Sequence, residues 1–145
     1  MFWLTILVVC TVGAMLPGLG SEVLLVGAAT TLGPVAAAVM VVVATIAHVA
    51  GKLIVYAGAA AGAPRLASHR LSSRWQLRMD RSKRAATTVV FTSALASLPP
   101  LWVATIASGA GGLGPVRFGS AVFAGRLIRY SALVAGPQLV LEVLR

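Results

Sequence analysis

The chain has 145 residues, 59% of them hydrophobic and only 10% charged, and its mean hydropathy is +0.95. A soluble domain carries about 25% charged residues, so this composition excludes a water-covered globule and predicts a chain whose solvent is the lipid bilayer. The net charge of +9 would suggest nucleic acid in a polar chain; here the cations are expected to set topology and to meet anionic headgroups, with no nucleic-acid partner.

Met1 to Leu16 is one apolar run, about 24 Å long as a helix. It lacks a basic leader and a small-residue cleavage site, so it reads as a retained first span (1–16) anchored by Trp3. Cys10 lies within it and is the only cysteine, which excludes an intrachain disulfide and a thiolate metal cluster. No cofactor or metal is expected.

Pro17, Gly18 and Gly20 break that helix. Ser21 can cap a new one, and Glu22 in its first turn suits the positive helix end. Val23 to Leu32 is too short to cross, so 17–33 reads as a re-entrant hairpin. Pro34 to Gly62 is the clearest span, with proline suited to its first turn. His48, Lys52 and Tyr56 share one face at i, i+4 and i+8. Gly51, Gly58 and Gly62 are expected to admit a close neighbouring helix.

Residues 65–84 change character, with Arg70, Arg74 and Arg78 beside the stripe Leu71, Trp75 and Met79. That pattern predicts a basic amphipathic helix lying on the cytoplasmic leaflet; the plainer alternative is a solvated loop obeying the positive-inside rule. Residues 85–114 are apolar but broken by Pro99-Pro100 and by Gly109, Gly111, Gly112 and Gly114, which predicts a second re-entrant hairpin. Pro115 to Val134 is the last span, carries Arg126 and Arg129, and is expected to end at Gly136-Pro137.

The order of motifs predicts that the two halves repeat, the plainer alternative being chance matching in a chain rich in Ala, Gly, Leu and Val. Leu113-Gly114-Pro115-Val116 echoes Leu32-Gly33-Pro34-Val35, 81 residues on, and Gly125-Arg126-Leu127-Ile128-Arg129-Tyr130 echoes Gly51-Lys52-Leu53-Ile54-Val55-Tyr56, 74 residues on. The seven-residue difference is about two helical turns, which keeps the motif on a similar face. With 65–84 cytoplasmic, the halves have opposite orientation. The expected fold is therefore all-α, a polytopic integral membrane protein with two opposed re-entrant hairpins in an inverted repeat, a transporter architecture.

Ionisable residues inside spans mark functional sites. Depth along the helices places Glu22 opposite Arg126 or Arg129, where the arginine pair could hold a phosphate by bidentate hydrogen bonds and Glu22 could exchange a proton. The alternative is a purely structural ion pair. His48 is a second proton-transfer candidate, against the alternative of a packed histidine. Lys52, like Arg70, Arg74 and Arg78, is expected to reach lipid headgroups. Only three carboxylates are present, and no metal-protease, paired-carboxylate or P-loop pattern occurs, so no enzyme is expected. An intramembrane serine hydrolase at Ser108-Gly109 would have only His48 and His69 to draw on.

Together, Pro17-Gly18 with Glu22, Gly51-Lys52 with Tyr56 and Gly58, Ser97-Leu98-Pro99, the Gly-rich Ser108–Gly114 and Gly125-Arg126 with Arg129-Tyr130 resemble the DedA family, with its VTT or SNARE-associated domain, over about residues 16–134. The stretch Ala94 to Trp102 lacks the arginines that typical bacterial members carry around the second-hairpin proline, which is closer to the compact YqaA-like branch. The resemblance implies a multi-pass bacterial inner-membrane protein that moves an anionic lipid or lipid phosphate, such as a polyprenyl phosphate or phospholipid, between leaflets as a scramblase or flippase, with proton coupling. It implies membrane lipids as partners and leaves self-association open. Proton-coupled transport of a small solute and a non-transporting membrane scaffold are the competing readings.

Overall fold

The computed structural model describes residues 1–15, 21–66 and 83–143, and every element among them is helical. The helices are α1 (Phe2–Met15), α2 (Ser21–Ala29), α3 (Pro34–Leu66), α4 (Lys83–Ala96), α5 (Leu101–Ala110) and α6 (Pro115–Val143). Pro17, Gly18, Gly20, Arg70, Arg74 and Arg78 lie outside the described residues, as does most of the basic stretch 65–84.

The helix boundaries follow from glycine and proline. Both long helices begin at a Gly-Pro pair, where proline occupies a first-turn position whose amide has no helical partner anyway. The preceding glycine carbonyl accepts the first turn: Gly33 from Ala37 at 2.9 Å, and Gly114 from Phe118 at 3.0 Å. Helix α5 starts just after Pro99-Pro100 and closes with the Leu113 amide on the Ser108 carbonyl at 3.1 Å. Gly112 makes that closure at φ 71°, a left-handed backbone that glycine adopts without a side-chain clash. One expectation fails at the far end. Gly136-Pro137 does not stop α6, which continues to Val143. Proline's fixed φ is compatible with a helix; inside one it removes a hydrogen bond and crowds the carbonyl four residues back, which disfavours continuation without forbidding it.

Among the described residues, each half of the chain carries a short helix, a shorter helix and a long helix in that order. Within each half the first helix lies parallel to the long one. Thr11 meets Ala47 through a 3.4 Å hydrogen bond, and Ala14 packs one turn further on, against Gly51. In the second half Phe91 packs on Gly125, and Leu95 meets Arg129. The two crossings are equivalent. A Cβ on Gly51 would stand 2.5 Å from the Thr11 carbonyl oxygen and 2.8 Å from the Ala14 Cβ; one on Gly125 would stand 2.7 Å from the Ala94 Cβ and 2.9 Å from the Phe91 carbonyl oxygen. Only glycine permits backbones this close. Gly58 and Gly62, expected to do the same, face open space; the close approach on that stretch of α3 comes from Gly109 of α5, against the Tyr56 carbonyl.

The halves interlock. Helices α3 and α6 run antiparallel, since Tyr56 stacks on Phe118 with ring centroids 4.9 Å apart while His48 meets Tyr130 at 3.1 Å. Each short second helix packs on the long helix of the other half, α2 on α6 and α5 on α3. Two apolar clusters result. One joins Ile6, Cys10, Leu25, Met40 and Ala44 with Tyr130 and Val134. The other joins Val90, Leu101, Leu113, Phe118 and Val122 with Tyr56.

Among the described residues, large apolar side chains lie exposed while the interior holds polar groups. Val35, Val39, Val42 and Ile46 form an exposed stripe along α3, and Leu4, Leu7, Val8 and Val12 are exposed on α1. Thr45, His48, Lys52, Ser93, Thr105, Ser108 and Arg126 are buried. Soluble monomers rarely expose apolar faces of this extent. Pro34–Gly62 is 29 residues long and its most apolar 18-residue window has a mean hydropathy of 2.2, which is long and apolar enough to cross a hydrocarbon core of about 30 Å. It is the single helix among the described residues that meets that test.

Candidate functional site

The gap between the two apolar clusters is where the charges collect. On α3 the stretch between Ala47 and Tyr56 carries His48 and Lys52; on α6 the stretch between Val122 and Tyr130 carries Arg126 and Arg129. The antiparallel register that sets His48 against Tyr130 brings Lys52, one turn on, toward Arg126, one turn back. Helix α2 adds Glu22 from its first turn.

Glu22 is paired with both arginines. Arg129 grips it bidentately, with Nε donating to Oε1 at 2.7 Å and a terminal nitrogen donating to Oε2 at 2.8 Å. Arg126 donates to the same Oε1 at 3.0 Å. The remaining terminal nitrogen of Arg129 donates to the Leu95 carbonyl at 2.9 Å. Leu95 is in the last turn of α4, where carbonyls lack helical partners and a cation complements the helix end. One guanidinium thus joins α2, α4 and α6. Below it, the Arg126 guanidinium carbon lies 5.7 Å from the Tyr130 ring centroid, within cation–π range, and the Tyr130 hydroxyl bonds His48 Nδ1.

Lys52 corrects the sequence reading. Its expected place was among headgroups, yet it is only 5% exposed. The face it shares with His48 and Tyr56 is the face turned to α6, so the side chain points inward, within electrostatic range of Arg126. No ion pair to Lys52 occurs among the described residues. The cluster therefore holds three cations, Lys52, Arg126 and Arg129, against the single carboxylate of Glu22, an excess of two positive charges.

Among the described residues, three buried polar atoms have no hydrogen-bond partner: Arg126 Nε, His48 Nε2 and Ser93 Oγ. Buried donors are almost always paired, and an unpaired one costs about 1–3 kcal/mol. Ser93 was not singled out from the sequence. It lies on the α4 face that carries Ala94 against Gly125, a placement visible only once that crossing is known. Excess positive charge beside the unpaired Arg126 Nε–H is chemistry suited to an anion with several acceptor oxygens. Among the described residues no group of three or more His, Cys, Asp or Glu could hold a metal.

No protein-family model, curated protein or solved structure matches this chain.

Proposed function

We propose that the chain is a multi-pass inner-membrane protein of the DedA type that carries an anionic lipid, or the phosphate of one, between leaflets. In this reading α3 and α6 cross the bilayer in opposite directions. Helices α1 with α2, and α4 with α5, dip in from opposite sides as re-entrant hairpins, which assigns α1 to the hairpin because it holds the place in its half that α4 holds in the other. The antiparallel α3–α6 pair, the equivalent Gly51 and Gly125 crossings and the exposed apolar stripes support that arrangement. Broken backbone at membrane depth is tolerated where protein or a polar cavity covers it.

The observation that carries the functional reading is a surplus of two positive charges: Lys52 and Arg126 are buried beside a half-buried pair of Arg129 with Glu22, the one carboxylate of the cluster. A structural pair needs one cation for one carboxylate. Here Lys52 and one arginine equivalent are left over, and a buried uncompensated charge is strongly destabilising unless an anion joins it. A phosphate would use Arg126, Arg129 and Lys52. Glu22 holds the arginines while the site is empty and competes with the phosphate for them, which provides a route to release. Proton uptake by Glu22 as the phosphate binds would couple transport to protons, with His48 and Tyr130 beside it.

The test is leaflet exchange of a fluorescent phosphatidylglycerol in liposomes holding the purified protein, with Arg126→Gln as the variant and a phosphate-free fluorescent lipid as control. Exchange of the phosphate lipid above empty liposomes, lost in a folded Arg126→Gln protein, is expected. Equal exchange of both lipids, or none above empty liposomes, would refute a phosphate-selective lipid path.

A further inference from the structure

A second basic site lies at the other end of the α4–α6 pair. A cleft of about 670 Å³ opens between the first two turns of α4 and of α6, lined by Lys83, Arg84, Thr88, Phe91, Arg117 and Ser120. The two helices are parallel, so both present their N-termini at this end, where orphaned amides add positive potential. Arg84 and Arg117 are exposed, and no carboxylate among the described residues lines the cleft. The Thr88 and Ser120 hydroxyls donate to their own helices, at 3.1 Å to the Arg84 carbonyl and 3.1 Å to the Arg117 carbonyl. They remain available as acceptors only, so recognition of an anion falls to the cations.

The inner wall is apolar and leads inward. Phe91 and Ala121 line the cleft, and the Phe91 carbonyl is the atom against which Gly125 packs. Gly125 directly precedes Arg126. The cleft thus runs from the basic end of the helices to within about one turn of the buried charge cluster. A cationic rim above an apolar wall fits an amphiphile with a phosphate head better than a free polar solute, whose remaining surface would gain nothing from Phe91.

We propose that this cleft is a phosphate-binding site at the end of the bundle where α4 and α6 begin, in which Arg84 and Arg117 hold a phosphate group before it reaches the buried cluster. The proposal rests on the anion reading of that cluster for its role in transport, but not for binding itself. Arg84 and Arg117 supply the fork geometry that phosphate oxygens take bidentately, and Lys83 adds a point charge.

Native mass spectrometry of the full chain in detergent tests it. Binding is measured in the Arg126→Gln background, which weakens the buried site, and is read as the change on removing the cleft arginines, with phosphatidic acid, diacylglycerol and inorganic phosphate as probes. Phosphatidic acid is expected to bind saturably, and adding Arg84→Gln with Arg117→Gln is expected to weaken it about tenfold or more. Diacylglycerol is expected to bind weakly and equally in both proteins. Competition by millimolar inorganic phosphate would mean that the site takes the free ion as well, and absence of competition that the lipid tail is required; either supports a phosphate site. Unchanged phosphatidic acid binding in the arginine-free cleft would overturn the proposal. The two readings fail separately. A cleft that binds in a protein that never exchanges lipid would sink the transport reading alone, whereas exchange that survives with no cleft binding would sink this one alone.

Discussion

Replacing Glu22 by Gln separates a structural ion pair from an anion site. The carboxylate accepts three charge-assisted hydrogen bonds from two guanidinium groups. Gln offers one acceptor oxygen and no charge, so at least two of those bonds weaken or vanish. Hydrogen bonds to charged groups contribute about 1.5–3 kcal/mol each, but the Glu22 side chain is 31% exposed and Arg129's 24%, so water recovers part of the loss. A destabilisation of about 2 kcal/mol is expected. The effect on anion binding has the opposite sign. Removing a negative charge about 5 Å from a bound phosphate changes its energy by about 3 kcal/mol at an effective permittivity of about 20. With the solvent exposure of Glu22, about 1–2 kcal/mol remains, or roughly tenfold tighter binding. The assay is phosphatidic acid binding in nanodiscs together with a thermal unfolding scan and leaflet exchange. Glu22→Gln should bind more tightly, melt lower and exchange more slowly, because release then lacks its competitor. A variant that melts lower with anion affinity unchanged or reduced would refute the anion site and leave an ion pair that only holds α2 against α6.

Further outcomes follow from the packing. Gly125→Val and Gly51→Val should each destabilise by about 3 kcal/mol or abolish folding, since even a methyl group at these positions meets backbone carbonyl oxygen at under 3 Å, and overpacking a tight crossing costs about 1–3 kcal/mol per modest insertion; Gly58→Ala and Gly62→Ala, with open space at both positions, should melt within a degree or two of the parent, and equal damage from both sets would refute the assigned crossings. Tyr56→Phe keeps the stack on Phe118 but removes the hydroxyl that donates to the Leu113 carbonyl, so a loss of about 1–2 kcal/mol is expected, read as a lowered melting temperature. Cys10 is fully buried, so a maleimide should label it only after denaturation, and rapid labelling in liposomes would contradict the α1–α3 packing. Replacing Arg70, Arg74 and Arg78 by Ala should weaken association of the basic segment with anionic vesicles by about 1 kcal/mol per cation and leave exchange largely intact; loss of function there, with Arg126→Gln tolerated, would favour a scaffold over a transporter.

How much of this was readable in advance depends on what kind of fact each residue encodes. Helix starts were readable because Gly-Pro at 33–34 and at 114–115 is a local instruction. The equivalence of Gly51 and Gly125 was readable because a close crossing needs glycine whatever surrounds it. The meeting of Glu22 with Arg126 and Arg129 was readable because a lone carboxylate in an apolar chain has few partners that satisfy it. Lys52 was misread because distance along a helix gives depth but not facing; only the register against α6 shows that its face is an interior one. Gly58 and Gly62 were over-read for the same reason, as small residues permit contact without requiring it. Pro137 was read as a stop although its dihedral preference allows the helix to continue. The crosswise packing of α2 on α6 and α5 on α3 has no local signature, since neither short helix carries a strongly directional apolar face.

That crosswise packing also ties the fold to the site. Glu22 belongs to the first half and its arginines to the second, and Arg129 reaches the end of α4 through the Leu95 carbonyl. The charge cluster is therefore part of the seam that holds the halves together. An anion that draws Arg126 and Arg129 away from Glu22 weakens the α2–α6 contact and leaves the Gly125–α4 crossing in place, because that crossing is backbone packing and carries no charge. The flexible joint and the rigid one are then different parts of the same interface. Motion of α2, and with it the first hairpin, would follow substrate binding while α4 and α6 stay fixed. A spin-label or fluorophore pair bridging α2 and α6 should lengthen on adding phosphatidic acid, and a pair bridging α4 and α6 should not. Lengthening of both pairs would mean that the whole second half moves, and would break the link between the Glu22 contact and the moving part.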